Sequence, residues 1–263
     1  MRLSLILPAL NEAAVITATL AALQPLRALG HEVILVDGGS TDGTPILAAP
    51  KVDRVITAPR GRARQMNAGA AQAQGEALVF VHADTRLPEG AGALVSDALQ
   101  QRLWGRFDVR IAGRPWVLRV VAALMNGRSR LTGIATGDQV IFVRRDAFAA
   151  LGGFPDLPLM EDIALSRRLK RLGPPACLRQ RVITSGRRWE SQGPWRTILL
   201  MWRLRFDYWR GAPAESLAGR YRLPSQPLAP PSRDGYGLVE IDEPADLGDV
   251  PDKLGGQERF PGL

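Results

Sequence analysis

Four polar clusters in the chain carry side chains able to do chemistry. The first is Asp37-Gly38-Gly39-Ser40-Thr41-Asp42-Gly43-Thr44, directly after the apolar run EVILV. Its carboxylates and hydroxyls are the residues of turns and helix caps. They are equally acceptors for the N–H groups of a nucleotide base or the hydroxyls of a ribose. The second is VFVHADTRLP, with Asp84 three residues past Val81. A carboxylate near phosphates needs a cation between them, and a hard divalent ion such as Mg²⁺ or Mn²⁺ takes oxygen ligands of this kind. A lone histidine such as His82 is more often structural than a ligand. The third is Glu161-Asp162, after GGFPDLPLM. Carboxylates in a first helical turn favour the helix dipole, and a carboxylate on a rigid element can serve as a general base. The fourth is SGRRWESQG, where Arg187 and Arg188 could hold a diphosphate through forked N–H donors or form a solvated basic loop.

Alternating strand and helix patterns must position these clusters. Residues 2–7 read as a buried strand ended by Pro8. Residues 11–29 have helical periodicity, with Asn11 as N-cap and Pro25 as a kink or stop. Strands are expected at 32–36, 54–57 and 77–81, and a helix at 62–73. Such alternation predicts an α/β fold, a Rossmann-like and mostly parallel sheet with helices on both faces. Ligands of these sheets bind beyond the carboxyl ends of the strands, where the first two clusters fall. Further on, helices are expected at 116–125, 160–172 and 195–210, and strands at 140–143 and 178–183.

Composition narrows the function classes. The 263 residues are 46% hydrophobic and 23% charged, which is ordinary globular usage. No apolar run approaches the roughly 18 residues that span a bilayer, and residues 1–10 lack a signal-peptide pattern. The single cysteine, Cys177, and two histidines, His31 and His82, leave no cysteine- or histidine-rich metal centre, and a cytoplasmic, reducing setting is the expectation. Net charge is +8, and all but three of the 34 basic residues are arginine. Residues 224–263 hold 3 basic and 8 acidic residues and 7 of the 20 prolines. They are expected to form a disordered acidic tail beyond a folded domain at 1–223. The remaining basic body favours anionic partners; nucleic acid is not expected among them, because no recognised nucleic-acid motif appears. Trp195, Trp202 and Trp209 recur every seventh residue beside Arg196, Arg203 and Arg210. That C-terminal amphipathic pattern suits a core-packed helix or a helix lying on an anionic bilayer at the inner face of the membrane.

Taken in order, PALNEA (8–13), VDGGSTDGT, GRARQMNAGAAQAQGE (61–76), VFVHADT, GGF…MEDIALSRRLKRLG and the Arg-Arg-Trp run resemble the family 2 glycosyltransferases of GT-A fold. The resemblance covers roughly residues 1–210. HADTRLP, GDQ at 137–139 and the Glu-Asp pair are similar to a bacterial subgroup labelled selenobiology- or radical-SAM-associated transferases. The resemblance implies a hexosyltransferase-type enzyme that moves a sugar, with inversion, from a nucleotide-diphosphate sugar to an acceptor hydroxyl, which could be lipid-linked. It implies a donor site of Pro8, Asn11, Glu12, Asp37, Gly39, Ser40, Arg64, Asn67, Asp84, Arg188 and Trp189. Asp162 would be the catalytic base with Glu161 as helper, and a divalent cation, Mg²⁺ or Mn²⁺, would sit at Asp84 with His82 beside it. Two positions depart from the family pattern. His82-Ala83-Asp84 has one carboxylate where the metal motif has two, and Gly38 stands where a second aspartate is usual. The alternatives are a nucleotidyltransferase, which would release pyrophosphate, and a non-catalytic nucleotide-sugar-binding homologue.

Overall fold

Residues 1–221 are described in a computed structural model of the chain, and the tail expected at 224–263 lies outside them. The first half builds β1 (Leu3–Ala9), α1 (Ala13–Ala28), β2 (Glu32–Asp37), α2 (Thr44–Ala48), β3 (Arg54–Thr57), α3 (Arg62–Gln72), β4 (Ala77–Phe80) and β5 (Thr85–Arg86). There follow α4 (Ala91–Gln101), β6 (Trp104–Ala112), α5 (Val117–Thr132), β7 (Ile141–Arg144), α6 (Arg145–Ala150), α7 (Glu161–Leu172), β8 (Ala176–Ser185), α8 (Arg187–Gln192), α9 (Pro194–Trp209) and α10 (Ala214–Tyr221). One sheet runs in the order β3-β2-β1-β4-β7-β6-β8-β5. The strands β1 to β4 are mutually parallel, whereas β7 is antiparallel to both β4 and β6. The sheet is therefore mixed, as a mostly parallel reading allows.

Every residue of β1, β2 and β4 is buried, the signature of a parallel sheet covered on both faces. Alternation along β1 assigns the faces. Leu3, Leu5 and Leu7 pack with Ile16, Leu20 and Leu23 of α1, Val95 and Leu99 of α4 and Leu118 of α5. On the opposite face Ile6, Leu78 and Phe80 meet Met66 of α3, Phe148 of α6 and Leu165 and Leu169 of α7. A third cluster joins Met160 and Ile163 at the start of α7 to Leu204 of α9 and Leu217 of α10.

Three local expectations change. The first strand continues through Pro8 to Ala9, where its β4 partner has already ended at Ile6↔Phe80. Pro8 has a strand neighbour on one side only, a position that tolerates its missing N–H. Asn11 is not a cap: it adopts φ 55 and its Oδ1 accepts the Thr41 N–H at 2.9 Å. The start of α1 is capped from the β2 loop instead, the Ala13 N–H donating to Asp42 Oδ2 at 2.9 Å and the Glu12 N–H to Thr44 Oγ1 at 2.9 Å. Pro25 lies inside α1 and does not stop it, since the helix runs on to Ala28. Ala21, one turn back, is exposed, so a carbonyl left without its partner can face water.

Candidate active site

Because β1, β2 and β4 are parallel, their carboxyl ends meet at one rim and deliver Asn11 and Glu12, Asp37, and His82 and Asp84 to it. Asp37 is only 4% exposed. Its Oδ2 accepts the Gly39 and Ser40 N–H groups, both at 2.9 Å, which fixes the carboxylate in a turn that Gly39 closes at φ 91. Its Oδ1 is buried and has no partner among the described residues. A buried acceptor without a donor costs on the order of 1–3 kcal/mol, so Asp37 Oδ1 is an acceptor suited to an N–H or O–H group. Ser40 Oγ accepts the Asn11 N–H at 2.8 Å, tying the two loops together. The structure also accounts for Gly38. A Cβ there would stand 3.0 Å from the Gln65 amide, which itself donates to the Ala9 and Val36 carbonyls at 2.8 Å.

The carboxylate missing from His82-Ala83-Asp84 is supplied by another strand end. Arg187 Nη2 lies 3.0 Å from Glu12 Oε2 and 3.3 Å from Asp84 Oδ2. Burial raises the pKa of Glu12, Arg187 opposes the rise and Asp84 adds to it, with a net increase above 4.5. Glu12 and Asp84 thus bring two hard oxygen donors to one positive charge, with a guanidinium in the cation position. This donor set fits a divalent ion, which would draw its remaining ligands from a diphosphate and water. His82 does not belong to that set. Its Nδ1 lies 3.4 Å from Asp138 Oδ1, whereas Arg187 contacts Glu12 and Asp84. No group of three His, Cys, Asp or Glu side chains converges among the described residues.

Next to the rim is a cleft lined by Arg62, Met66, Phe80, His82, Gly137, Ile141, Phe154, Glu161 and Asp162. Gly137 belongs to the 3₁₀ turn Gly137–Gln139 and is pressed between two of these side chains. Its N–H donates to Asp162 Oδ2 at 2.9 Å, and a Cβ on it would meet His82 Nε2 at 2.6 Å. The GDQ motif is thereby explained: Gly137 allows the close approach, Asp138 receives His82, and Gln139 closes a capping box with Thr136. Met160, at φ 68, turns the chain so that Glu161 and Asp162 open α7. Asp162 Oδ1 also accepts the Ile163 N–H, at 2.7 Å, so the carboxylate is held from two sides. Glu161 is 6% exposed, and burial with the neighbouring Asp162 charge raises its pKa above 4.5, against the pull of Arg62.

Four of the residues expected to contact the donor are engaged within the protein. Arg64 points outward to Asp156, at 2.8 Å, and Arg62 is the arginine facing Glu161 and Asp162. Asn67 holds the loop before α7, donating to the Phe154 carbonyl at 2.8 Å and accepting its N–H at 2.9 Å. Arg188 stacks on Tyr221 with its guanidinium 3.6 Å from the ring centroid, and Trp189 packs on the core, so Arg187 is the member of the Arg-Arg-Trp run at the carboxylates. The sequence placed Glu12, Asp84 and Arg187 each at the donor site, but not their mutual contact, since PALNEA, HADT and SGRRW are far apart along the chain.

The family described as Glycosyl transferase family 2 matches residues 4–111. The probable glycosyltransferase YdaM of Bacillus subtilis (strain 168) is 28% identical over 237 residues, covering 80% of this chain and 55% of that protein. The chain thus spans about half the length of this curated relative. Among solved structures, the mannosyltransferase PcManGT from Pyrobaculum calidifontis, in complex with GDP-Man and Mn²⁺, is 25% identical with a TM-score of 0.54 over 69% of this chain and 56% of that one. Glucosyl-3-phosphoglycerate synthase from Mycobacterium tuberculosis, in complex with Mg²⁺ and UDP, shares the fold at 24% identity and a TM-score of 0.52, over 70% of each chain. Residues 4–111 thus resemble family 2 glycosyltransferases, and the α/β architecture is the GT-A fold of these solved neighbours.

Proposed function

We propose that this protein is a family 2 glycosyltransferase and transfers a sugar from a nucleotide-diphosphate sugar to an acceptor hydroxyl, with inversion at the anomeric carbon. The observation that carries the reading is the unpartnered, buried Oδ1 of Asp37, at the strand rim beside Glu12 and Asp84. It suits the N–H of a base, and the two carboxylates with Arg187 suit the diphosphate end of the same molecule. Asp162, fixed by Gly137 and its own helix start, takes the proton of the acceptor hydroxyl as that oxygen attacks the anomeric carbon. The bond from that carbon to the diphosphate oxygen breaks, and a nucleoside diphosphate leaves. Arg62 and Arg187 stand where the negative charge grows. A divalent cation held by Glu12 and Asp84, as Mn²⁺ or Mg²⁺ accompanies the nucleotide in solved neighbours, would neutralise the leaving diphosphate. The motifs HADTRLP, GDQ and Glu-Asp support placement in the selenobiology-associated subgroup.

A membrane setting is part of the same reading. Trp195, Leu199, Trp202, Phe206 and Trp209 project from one side of α9, each more than half exposed, while Thr197 and Leu204 are its buried residues. No described helix is long and apolar enough to cross a bilayer. The outward apolar side of α9, edged by arginines, suits the cytoplasmic surface of an anionic bilayer and a lipid-linked acceptor.

Nucleotide binding tests the donor site. UDP or GDP, screened with and without Mn²⁺, should raise the melting temperature of the protein. Asp37→Ala should weaken that nucleotide by at least about tenfold, the loss of a hydrogen bond to a charged group. Asp84→Ala should remove the Mn²⁺-dependent part. Unchanged nucleotide affinity in Asp37→Ala would remove the proposed base contact.

A further inference from the structure

A second cleft lies on the other side of the α7 start, lined by Arg128 and Thr132 of α5, Ile134, Ile163 and Arg167 of α7, and Arg205 and Tyr208 of α9. Three of its seven lining residues are arginines and none is acidic. Ile163 directly follows Asp162, so the turn that holds the proposed base forms one wall of both clefts. Among the described residues, Arg128, Arg167 and Arg205 have no carboxylate within ion-pair distance, although Arg130, one turn-position away on α5, is paired with Asp108 at 2.7 Å. Arg167 contacts the Tyr208 ring, 5.2 Å from its centroid. Arg128 stands out: its Nε and Nη2 are buried without a hydrogen-bond partner among the described residues. Burial and the neighbouring Arg205 push its pKa down to about 10, with only Asp162 acting against them. Natural folds rarely desolvate a guanidinium beside two others with no carboxylate in ion-pair contact, because each unpaired buried charge costs several kcal/mol. The arrangement is explained if the counter-charge belongs to a ligand.

Size and surroundings narrow that ligand. The cavity measures about 220 Å³. That is below the roughly 300–1,000 Å³ of sites that enclose a whole small molecule, so it accommodates one charged group with the rest of the molecule outside. Arginine forks match the oxygens of a phosphate. Resting on the transfer reading above, we infer that this cleft receives a phosphate group of the acceptor, holding it so that the acceptor hydroxyl meets Asp162. The phosphate comes from a lipid headgroup or from a water-soluble phosphorylated acceptor. Both present the same oxyanion to Arg128, Arg167 and Arg205.

The test uses the full chain and two variants, Arg128→Met and Arg205→Met. Inorganic phosphate, and separately phosphatidylcholine vesicles with and without phosphatidic acid, are titrated against each protein, with melting temperature and co-flotation as readouts. Phosphate should stabilise the wild type, and its apparent affinity should fall by at least about tenfold in each variant, the effect of one lost charge-assisted hydrogen bond. Without phosphate, Arg128→Met should melt at or above the wild-type temperature, since a buried unpaired charge is gone. A purely structural Arg128 would instead make this variant melt lower. Arg205→Met decides the question should Arg128→Met fail to fold. Protection by inorganic phosphate identifies a soluble phosphorylated group as sufficient, and arginine-dependent flotation with phosphatidic acid alone identifies the lipid source; either supports the inference. Equal phosphate response and equal flotation in wild type and both variants overturns it. UDP or GDP binding, measured on the same samples, should be unchanged in both variants. Absence of nucleotide binding in the wild type would count against the donor reading, separately from the phosphate result.

Discussion

The two sides of the α7 start differ in which kind of buried polar group lacks a partner. On the rim built by β1, β2 and β4 the unpartnered atom is an acceptor, Asp37 Oδ1. In the cleft between α5, α7 and α9 the unpartnered atoms are donors, Nε and Nη2 of Arg128. A buried group left unpaired costs more than a paired one contributes, so each orphan suits a bound group of the complementary chemistry. The rim calls for an N–H or O–H donor, as a nucleotide presents. The cleft calls for an oxyanion. Between them stand Glu161 and Asp162, where a proton taken from one molecule would allow a bond to the other.

Mutations that break this division should differ in size. The largest effect is expected at the dividing turn. Asp162→Asn should lower turnover by at least about a hundredfold, with nucleotide affinity close to wild type in a titration of both proteins. Loss of nucleotide binding in this variant would move Asp162 to the donor side. The next effect concerns stability. Arg106 is fully buried and ion-paired with Asp108, which also receives Arg130 and so ties α5 to β6. Asp108→Ala leaves Arg106 without its counter-charge and should cost about 3–5 kcal/mol in denaturant unfolding. The contrast with a neutral or stabilising Arg128→Met is the sharpest internal check: one buried arginine is paired by the protein, the other is not.

The smallest effect is a pH dependence. Burial and Asp162 raise the folded pKa of Glu161 above its ordinary 4.5. Its contribution to stability is therefore fully present below pH 4.5 and is lost as pH rises through the folded value. Glu161→Gln does not titrate, so the two stability curves should coincide below pH 4.5 and separate above it, with the variant the more stable. Curves that remain parallel across that range would show that Glu161 is not held in the buried, charge-disfavouring state.

The strand rim was more legible in the sequence than the cleft between α5, α7 and α9, for physical reasons. A parallel strand buried on both faces is a continuous apolar run, and the turn that follows it is local, so EVILV leading into DGGSTDGT located Asp37 at once. Distance along the chain hid Glu12 from Asp84 and Arg187, since only the sheet brings their strand ends together. The strand β6 was missed because WGRFDVRIA places Arg106, Asp108 and Arg110 within it. Its burial depends on Asn126, whose side chain bonds the Val109 N–H and carbonyl, and on Arg130. Spacing alone did not separate Arg62 from Arg64: two residues apart on α3 they face nearly opposite directions, Arg64 to Asp156 and Arg62 to Glu161 and Asp162. The Glu161-Asp162 pair was legible at a helix start, and the resemblance singled out Asp162; that Gly137 donates to Asp162 was not legible.

The account stands most directly on what leaves the donor. With a nucleotide sugar that stabilises the protein, Mn²⁺ and an accepted hydroxyl compound, product analysis should recover one nucleoside diphosphate for each sugar transferred and no pyrophosphate. The same analysis on Asp162→Asn should show the nucleoside diphosphate falling in step with the transferred sugar. Pyrophosphate as the released product would contradict glycosyl transfer and assign the rim to nucleotidyl transfer.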